Sequence, residues 1–275
     1  MPNADDDDKL WRYPKDEKRL KRWETGVYAS VAENPAAWDT YDVQIQTVIA
    51  AYTNRLSGTP GYVPLDWKKV KAMLWVESGA ANIATWPFNP MQIGKNGDPG
   101  LKDVLTSSHG KIILPKEYAT VLNMSNVTQN GNLNIQAGIG YLLRRLANFH
   151  MVPDPPKTPS PLVPSSTKTP PNTLGPLATP KPSDAHKSSA KHHHPAKHHS
   201  PAKKHPVPVH LKITSWKTFS FPWVASTYNN HGDGNYADKL QYAYDIITGN
   251  IKPQLPKKPV HDNKKSVPHQ HHKKP

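Results

Sequence analysis

Residues 66–79 have the sequence DWKKVKAMLWVESG, which predicts a capped amphipathic helix. Asp66 is a favourable N-cap residue, because its carboxylate accepts hydrogen bonds from the free N–H groups of a first helical turn. The apolar face of the helix is supplied by Trp67, Val70, Met73, Leu74 and Val76. Gly79 follows Ser78 and tolerates the left-handed conformation that commonly ends a helix. The pattern therefore predicts a helix from about Asp66 to Ser78.

Glu77 is the residue of this helix that carries chemical interest. It follows Leu74 by three residues and Val70 by seven, so a helix places it on the apolar face with them. A carboxylate there is costly unless it is paired or protonated, and burial raises its pKa. A carboxylic acid with a raised pKa suits general-acid work near neutral pH. The alternative is a helix-end residue that bonds to the following loop.

Other stretches surround this helix with further helices. Apolar residues at three- and four-residue spacings predict helices over 39–56, 133–149 and 235–247, and a short helix over 116–125. The segment 80–112 contains many Gly, Asn and Pro residues, so it predicts a loop. The fold class that follows is mainly α.

Composition limits how much of the chain packs. The 275 residues include 30 Pro and no Cys, and the net charge is +14. The absence of Cys excludes disulfides, thiolate metal sites and cysteine nucleophiles. Between 151 and 210 the chain is dominated by Pro, Lys, His, Ser and Thr. Such a segment cannot bury enough apolar area to offset the entropy of ordering, so we expect it to be disordered.

The resulting organisation is one helical domain interrupted by a long insert. We expect a charged N-terminal arm over 1–37, the first part of the domain over 38–150 and a disordered basic insert over 151–210. The second part of the domain then covers 211–250, and a disordered basic tail covers 251–275. Disordered inserts are tolerated where a surface loop joins two elements whose ends are close. The second part must therefore fold back onto the first.

Three segments together resemble a known family. From Glu77 the chain reads ESGAANIATWPFNPMQIG over 77–94, then NIQAGIGYLLRRL over 134–146, then VASTYNNHGDGNYADKLQYAYDII over 224–247. In this order they resemble the lytic transglycosylase domain of the soluble-lytic-transglycosylase type, which is related to goose-type lysozyme. That domain carries Glu-Ser at a helix end, a Met-Gln-Ile loop, a helix with Ala-Gly-x-x-Tyr-Leu, and then Ala-Tyr-Asn-Ala-Gly. The resemblance implies a lysozyme-like helical domain and covers only its two expected parts.

The resemblance also implies roles for individual residues. Glu77 matches the catalytic acid and base, and Ser78 matches the serine beside it. The substrate loop corresponds to Met91, Gln92 and Ile93, and the supporting helix contributes Tyr141. Tyr228 and Asn229 match a Tyr-Asn pair whose tyrosine hydroxyl approaches the glutamate. Two departures affect the surroundings of these residues: Asn-Pro precedes Met91 where the family often has Gly-Leu, and Asn-His alters the turn after Asn229.

The reaction implied by the resemblance is cleavage of the bond between N-acetylmuramic acid and N-acetylglucosamine, with formation of a 1,6-anhydro ring. Glu77 would act first as acid and then as base. The alternative is a lysozyme-like hydrolase, which needs a second carboxylate, and Asp98 and Asp103 are the candidates for it. Most of the 15 His residues lie in the insert and tail, and no His-Glu-x-x-His pair occurs. We therefore expect no metal and no cofactor.

The basic charge bears on partners and location. Besides the peptidoglycan glycan strands, we expect the insert and tail to attract anionic cell-envelope polymers. Charge alone also suggests a nucleic-acid-binding protein, but no recognised module occurs, so we expect no specific nucleic acid. A non-catalytic wall- or polyanion-binding protein is the remaining alternative. The charged start has no apolar signal region.

We therefore expect synthesis in the cytoplasm without a signal peptide. The protein would reach the periplasm or cell wall by non-classical export, injection or phage-mediated release. An antibacterial effector or a phage-type lysis enzyme fits these expectations. An immunity protein or delivery machinery would then be a further partner.

Overall fold

The computed structural model describes residues 14–82, 84–95, 98–153, 209–229 and 232–254. Helices account for most of them, so the predicted mainly α class is confirmed. No helix in these ranges is both long enough and apolar enough to cross a membrane.

The described residues up to Met151 and from Leu211 onward belong to one compact unit. A second unit, Val152–His210, lies almost entirely outside the described residues. Most of the predicted basic insert and nearly all of the predicted basic tail also lie outside them, so their disorder stays a prediction. The described ends of the insert, 151–153 and 209–210, lie in strands, so the predicted bounds of the disordered segment are wrong by these few residues.

The described part of the chain contains ten helices and one two-stranded sheet. The elements are α1 Glu17–Glu33, α2 Pro35–Trp38, α3 Asp42–Leu56, α4 Trp67–Glu77, α5 Gly100–Thr106, α6 Ser108–Ile113, α7 Lys116–Val121, α8 Gly131–Leu146, β1 Ala147–Pro153, β2 Val209–Trp216, α9 Phe221–Thr227 and α10 Tyr236–Ile247. The helices predicted over 39–56, 66–78 and 235–247 correspond to α3, α4 and α10. The short helix predicted over 116–125 corresponds to α7, which ends earlier.

Helix α4 lies at the centre of the fold. The Asp66 carboxylate accepts a hydrogen bond of 2.9 Å from the Lys68 N–H, which caps the helix N-terminus. Val70, Met73 and Leu74 of the apolar face are fully buried, and Trp67 and Val76 are partly buried. The helix packs most extensively against α10, with α3 on another side. The helix ends at Glu77, and Gly79 takes the left-handed conformation at φ 67° that the sequence predicted. This ending places Glu77 where the chain leaves the core.

The end of α8 differs from the prediction. The helix predicted over 133–149 stops at Leu146, and the next residues form β1, which pairs with β2. The Lys217 N–H donates to the Leu146 carbonyl at 2.9 Å, and the Asn148 amide donates to the Ser215 hydroxyl at 2.9 Å. Strand formation depends on the pairing partner more than on local preference. The partner strand follows about sixty residues later, so the local pattern did not indicate it.

The loop predicted over 80–112 is wrong in its second half, which contains α5 and α6. Ser107 separates the two helices and caps α6 by accepting a hydrogen bond of 2.9 Å from the Gly110 N–H. Both helices dock against α8 through fully buried apolar side chains, which include Leu101, Val104 and Ile113. Few apolar residues in short helices suffice because tertiary packing supplies most of the stability.

The charged arm predicted over 1–37 also needs correction in its described part. Helix α1 packs into the core through Val27 and Val31. The Trp23 and Tyr242 rings pack edge to face, with their centroids 6.2 Å apart. The fully buried Asn235 side chain joins the start of α1 to the start of α10. Its Oδ1 accepts from the Asp16 N–H, and its Nδ2 donates to the Asp16 carbonyl, both at 3.1 Å. Helix α1 is therefore part of the domain.

This two-way contact gives a stability prediction. We expect Asn235→Ala to lower the free energy of unfolding by about 1–3 kcal/mol, because the two part-buried hydrogen bonds to the Asp16 backbone are lost. Urea unfolding of the full chain measures the change. The matched control is Asn250→Ala, which removes an exposed amide and should change stability by less than about 0.5 kcal/mol. Equal effects of the two substitutions would contradict the role of Asn235 as a clamp.

Candidate active site

A cleft of about 340 Å³ lies at the C-terminal end of α4. Its walls come from α4, from the loop before α5, and from α8 and the end of α9. The lining residues are Glu77, Met91, Gln92, Ile93, Asp98, Pro99, Tyr141, Arg145, Thr227, Tyr228 and Asn229. The structure thus brings together most of the residues singled out from the sequence. The exceptions are Ser78 and Asp103, which do not line the cleft.

Glu77 is the last residue of α4 and faces the cleft with a part-buried side chain. Burial raises the pKa of its carboxyl from 4.5 to about 7, and the nearby Asp98 charge acts in the same direction. A hydrogen bond from the Tyr236 hydroxyl to Oε1 and the charges of Lys95 and Lys239 lower the pKa in part. Near neutral pH the group therefore exists in both protonation states, so it can donate or accept a proton.

The tyrosine that hydrogen-bonds Glu77 is Tyr236, and Tyr228, the residue to which the resemblance pointed, lines the same cleft. The Tyr228 hydroxyl donates to the Met91 carbonyl at 3.3 Å, although its ring lines the cleft. Burial and the Glu77 charge both raise the pKa of Tyr228. Tyr236 is the first residue of α10, and the turn before this helix sets where it points. The only sequence signal for it was a tyrosine-containing helix after the Tyr-Asn pair.

The loop from Met91 to Ile93 is held by Asn134, a fully buried residue of α8 that the sequence analysis missed. Its Oδ1 accepts from the Met91 N–H at 2.8 Å. Its Nδ2 donates to the carbonyls of Ile93 and Val127, each at 3.2 Å, and to the Asn89 side chain. A single buried amide therefore fixes both ends of the substrate loop predicted from the sequence. Such fully satisfied buried networks rigidify a site.

Gln92 lies between these anchors in a left-handed conformation, with φ 53°. Non-glycine residues rarely adopt this region, and such strain clusters at functional sites. The Gln92 Oε1 accepts a hydrogen bond from Lys95, which orients the amide at the cleft wall. Behind the loop, a side chain at Gly138 would meet the Met91 sulfur at 2.5 Å, so α8 must carry glycine there. The geometry supports a rigid loop that presents Gln92 to a ligand.

Ser78, Asn229 and Asp98 mainly hold the backbone around the cleft. The Ser78 hydroxyl donates to the Pro90 carbonyl at 2.9 Å and so ties the helix end to the loop. The Asn229 amide donates to the Asp233 carbonyl at 3.4 Å across the following turn. The two Asp98 oxygens accept the N–H groups of Gly94 and Gly100 at 2.7 and 2.8 Å. Asp98 nevertheless lines the cleft, so it stays available as a second carboxylate.

Asp103 has a different environment. Its carboxylate lies 3.2 Å from the Arg144 guanidinium, so it pairs α5 with α8 outside the cleft lining. Of the two candidates for a second carboxylate, the structure brings only Asp98 to the site. Among the described residues, no group of three His, Cys, Asp or Glu side chains could hold a metal ion.

Three further residues line the cleft although no sequence pattern singled them out: Pro99, Arg145 and Thr227. The Arg145 guanidinium lies 6.0 Å from the Tyr141 ring centroid at the cleft. The centroid of the Tyr141 ring also lies 5.5 Å from that of the Tyr228 ring. The four-residue helical spacing between Tyr141 and Arg145 is the signal that places them on one face.

Comparison with known proteins adds no relative: no family model, curated protein or solved structure matches the chain.

The Asn134 network gives a prediction for stability. We expect Asn134→Ala to lower the free energy of unfolding by about 2–4 kcal/mol, because it leaves several buried backbone groups without partners. Asn132→Ala, two residues earlier on the exposed side of α8, is the matched control and should change stability by less than about 0.5 kcal/mol. Urea unfolding compares the two. A similar small loss in both variants would mean that Asn134 does not anchor the loop.

The raised pKa of Glu77 predicts a pH-dependent stability gain in Glu77→Gln. Between pH 4.5 and about 7 the folded protein keeps a proton on Glu77 that the unfolded chain releases. Above about pH 7 the buried carboxylate is ionised and destabilises the folded state. The free energy of unfolding therefore falls as the pH rises from 4.5 to about 7. We expect Glu77→Gln to be more stable than wild type by about 1–3 kcal/mol at pH 8 and nearly equal at pH 4.

Chemical unfolding at the two pH values measures this difference. Glu33→Gln, which changes an exposed carboxylate at the end of α1, serves as the control and should show no comparable gain at pH 8. A Glu77→Gln variant that is less stable than wild type at pH 8 would contradict the burial argument.

Proposed function

We propose that this protein is a peptidoglycan-cleaving lytic transglycosylase with a lysozyme-like domain. The observation that carries the proposal is the Glu77 carboxyl, whose pKa is raised to about 7 in a cleft of suitable size. The cleft also contains Met91, Gln92 and Ile93, in the order that the family resemblance implies. An acid and a base are both needed in this reaction, and a group that titrates near neutral pH serves as either.

The reaction runs through one carboxyl. Protonated Glu77 donates its proton to the oxygen between N-acetylmuramic acid and N-acetylglucosamine, and the bond from that oxygen to the muramoyl C1 breaks. The muramoyl C6 hydroxyl then attacks C1, and ionised Glu77 accepts the hydroxyl proton. The products are a 1,6-anhydro-muramoyl end and a free N-acetylglucosamine end, and Glu77 is protonated again. No water is consumed.

The neighbours of Glu77 support this cycle. The hydrogen bond from Tyr236 stabilises the ionised state that follows proton donation. Gln92, fixed by its left-handed backbone and by Lys95, offers an amide to the sugar at the cleft wall. The Tyr141 and Tyr228 rings supply apolar surface against which a sugar ring packs.

The second candidate function is a lysozyme-like hydrolase. It is favoured by Asp98, a second carboxylate at the same cleft that acts electrostatically on Glu77. In that mechanism Asp98 serves as nucleophile or activates a water molecule. Both Asp98 oxygens already accept backbone hydrogen bonds, which gives this carboxylate a structural role. The transglycosylase is therefore the better supported of the two hypotheses.

Digestion of purified peptidoglycan tests the reaction. We expect wild type to release anhydro-muropeptides, identified by mass spectrometry, and Glu77→Gln to release none. Activity should also fall as pH rises above about 7, because the starting acid must be protonated. Products heavier by one water molecule would identify the hydrolase, with Asp98→Asn as the next variant. No products from wild type would exclude both enzymes and leave a non-catalytic wall- or polyanion-binding protein.

The setting of this activity is part of the same proposal. The substrate is the glycan strand of the wall, so the protein acts in the periplasm or cell wall after non-classical export, injection or phage-mediated release. The basic insert and tail, which lie outside the described residues, would hold it near anionic envelope polymers. An antibacterial effector with an immunity protein or delivery machinery, or a phage-type lysis enzyme, fits this setting.

A further inference from the structure

Among the described residues that line the cleft, one is a cation that the proposed reaction does not use. Arg145 lines the same cavity as Glu77, although it is not among the causes that shift the Glu77 pKa. Its side chain is part-buried, and its guanidinium lies over the Tyr141 ring at 6.0 Å. Within the described ranges it pairs with no carboxylate. A cation held in a cleft without an acidic partner is suited to bind an anionic group of the ligand.

The position of Arg145 is fixed by a row of contacts. The Tyr228 hydroxyl is anchored by its hydrogen bond to the Met91 carbonyl. The centroids of the Tyr228 and Tyr141 rings are 5.5 Å apart, and the Arg145 guanidinium lies over the Tyr141 ring. Tyr141 and Arg145 are four residues apart on α8, so both project from one face. A preorganised guanidinium loses little freedom on binding and offers a planar pair of donors that matches a carboxylate.

The neighbouring Arg144 shows a different environment on the same helix. Its guanidinium pairs with Asp103 at 3.2 Å and lies over the Phe149 ring at 5.5 Å. It does not line the cleft. Two adjacent arginines therefore differ in environment: Arg144 pairs with Asp103 of α5, and Arg145 lines the cleft.

The geometry points to Arg145 as the binding site for a carboxylate on the side chain of the muramoyl sugar. This inference rests on the proposed substrate, in which only the muramoyl sugar carries an acidic group. That group is the lactyl carboxylate on a bare strand, or a carboxylate of the attached peptide on a complete one. Arg145 thereby distinguishes muramoyl-containing strands from neutral polymers of N-acetylglucosamine, and it sets which sugar lies beside Glu77.

Calorimetric titration tests the inference in the Glu77→Gln background, which prevents turnover. The three ligands are a soluble peptide-bearing glycan tetrasaccharide, the same tetrasaccharide after an amidase has removed its peptides, and chitotetraose, which is neutral. We expect Arg145→Gln to weaken binding of the acidic ligands about tenfold, as for loss of a charge-assisted hydrogen bond. Binding of chitotetraose should stay within about twofold, since no charge is involved.

Two further variants sharpen the result. Arg144→Gln removes the same charge one residue away and should leave all three affinities unchanged. Arg145→Lys keeps the charge and should recover part of the affinity for the acidic ligands, and this affinity should fall as salt is added. Loss only with the amidase-treated ligand identifies the lactyl carboxylate, and loss only with the peptide-bearing one identifies a peptide carboxylate. Loss with both means that Arg145 binds whichever carboxylate the muramoyl side chain carries.

An equal loss for all three ligands, no loss for any, or no binding of either acidic ligand would overturn the inference. Failure of the proposed reaction is a separate outcome. In that case wild type cleaves no peptidoglycan, while the charge-dependent binding difference at Arg145 remains. Cleavage by wild type together with unchanged affinities in Arg145→Gln would reject the inference alone.

Discussion

The desolvated carboxyl of Glu77 is the constraint on which the site depends. Helix α4 brings this residue to the edge of the core, and α10 covers it and supplies the Tyr236 hydroxyl. A carboxyl at an open helix end would keep an ordinary pKa, because water would solvate its charge. The raised pKa thus requires α4 and α10 to pack together, although they are about 160 residues apart in the chain. Burying the ionised carboxyl of Glu77 lowers the free energy of unfolding, and such a loss of stability is common at functional sites.

Rigidity around the carboxyl comes from polar groups that are buried and satisfied. The left-handed Gln92 would relax if the loop were free, so its neighbours must hold it. Asn134 does this from α8 with hydrogen bonds to both sides of Gln92. Tyr228 adds a further contact from the second part of the domain, through its bond to the Met91 carbonyl. The strained residue, Gln92, is therefore held on both sides by hydrogen bonds to its neighbours Met91 and Ile93.

The sequence predicted those features that local patterns determine. Helix α4, its Asp66 cap and its end at Gly79 follow from apolar spacing and capping chemistry, and the structure has all three. Strands β1 and β2 could not be predicted, since their stability comes from a partner distant in sequence. Which of Tyr228 and Tyr236 hydrogen-bonds Glu77 depends on how α9 and α10 pack in three dimensions, so the local sequence pattern did not determine it.

Strand pairing also explains how a domain interrupted in sequence can complete one cleft. The chain leaves along β1 and returns along β2, and hydrogen bonds between them hold its two ends together. The entropy of closing a flexible connection grows slowly, by about 0.6 kcal/mol for each doubling of its length. The paired strands therefore position α9 and α10. The number of residues between the two strands adds little to the entropic cost of bringing them together.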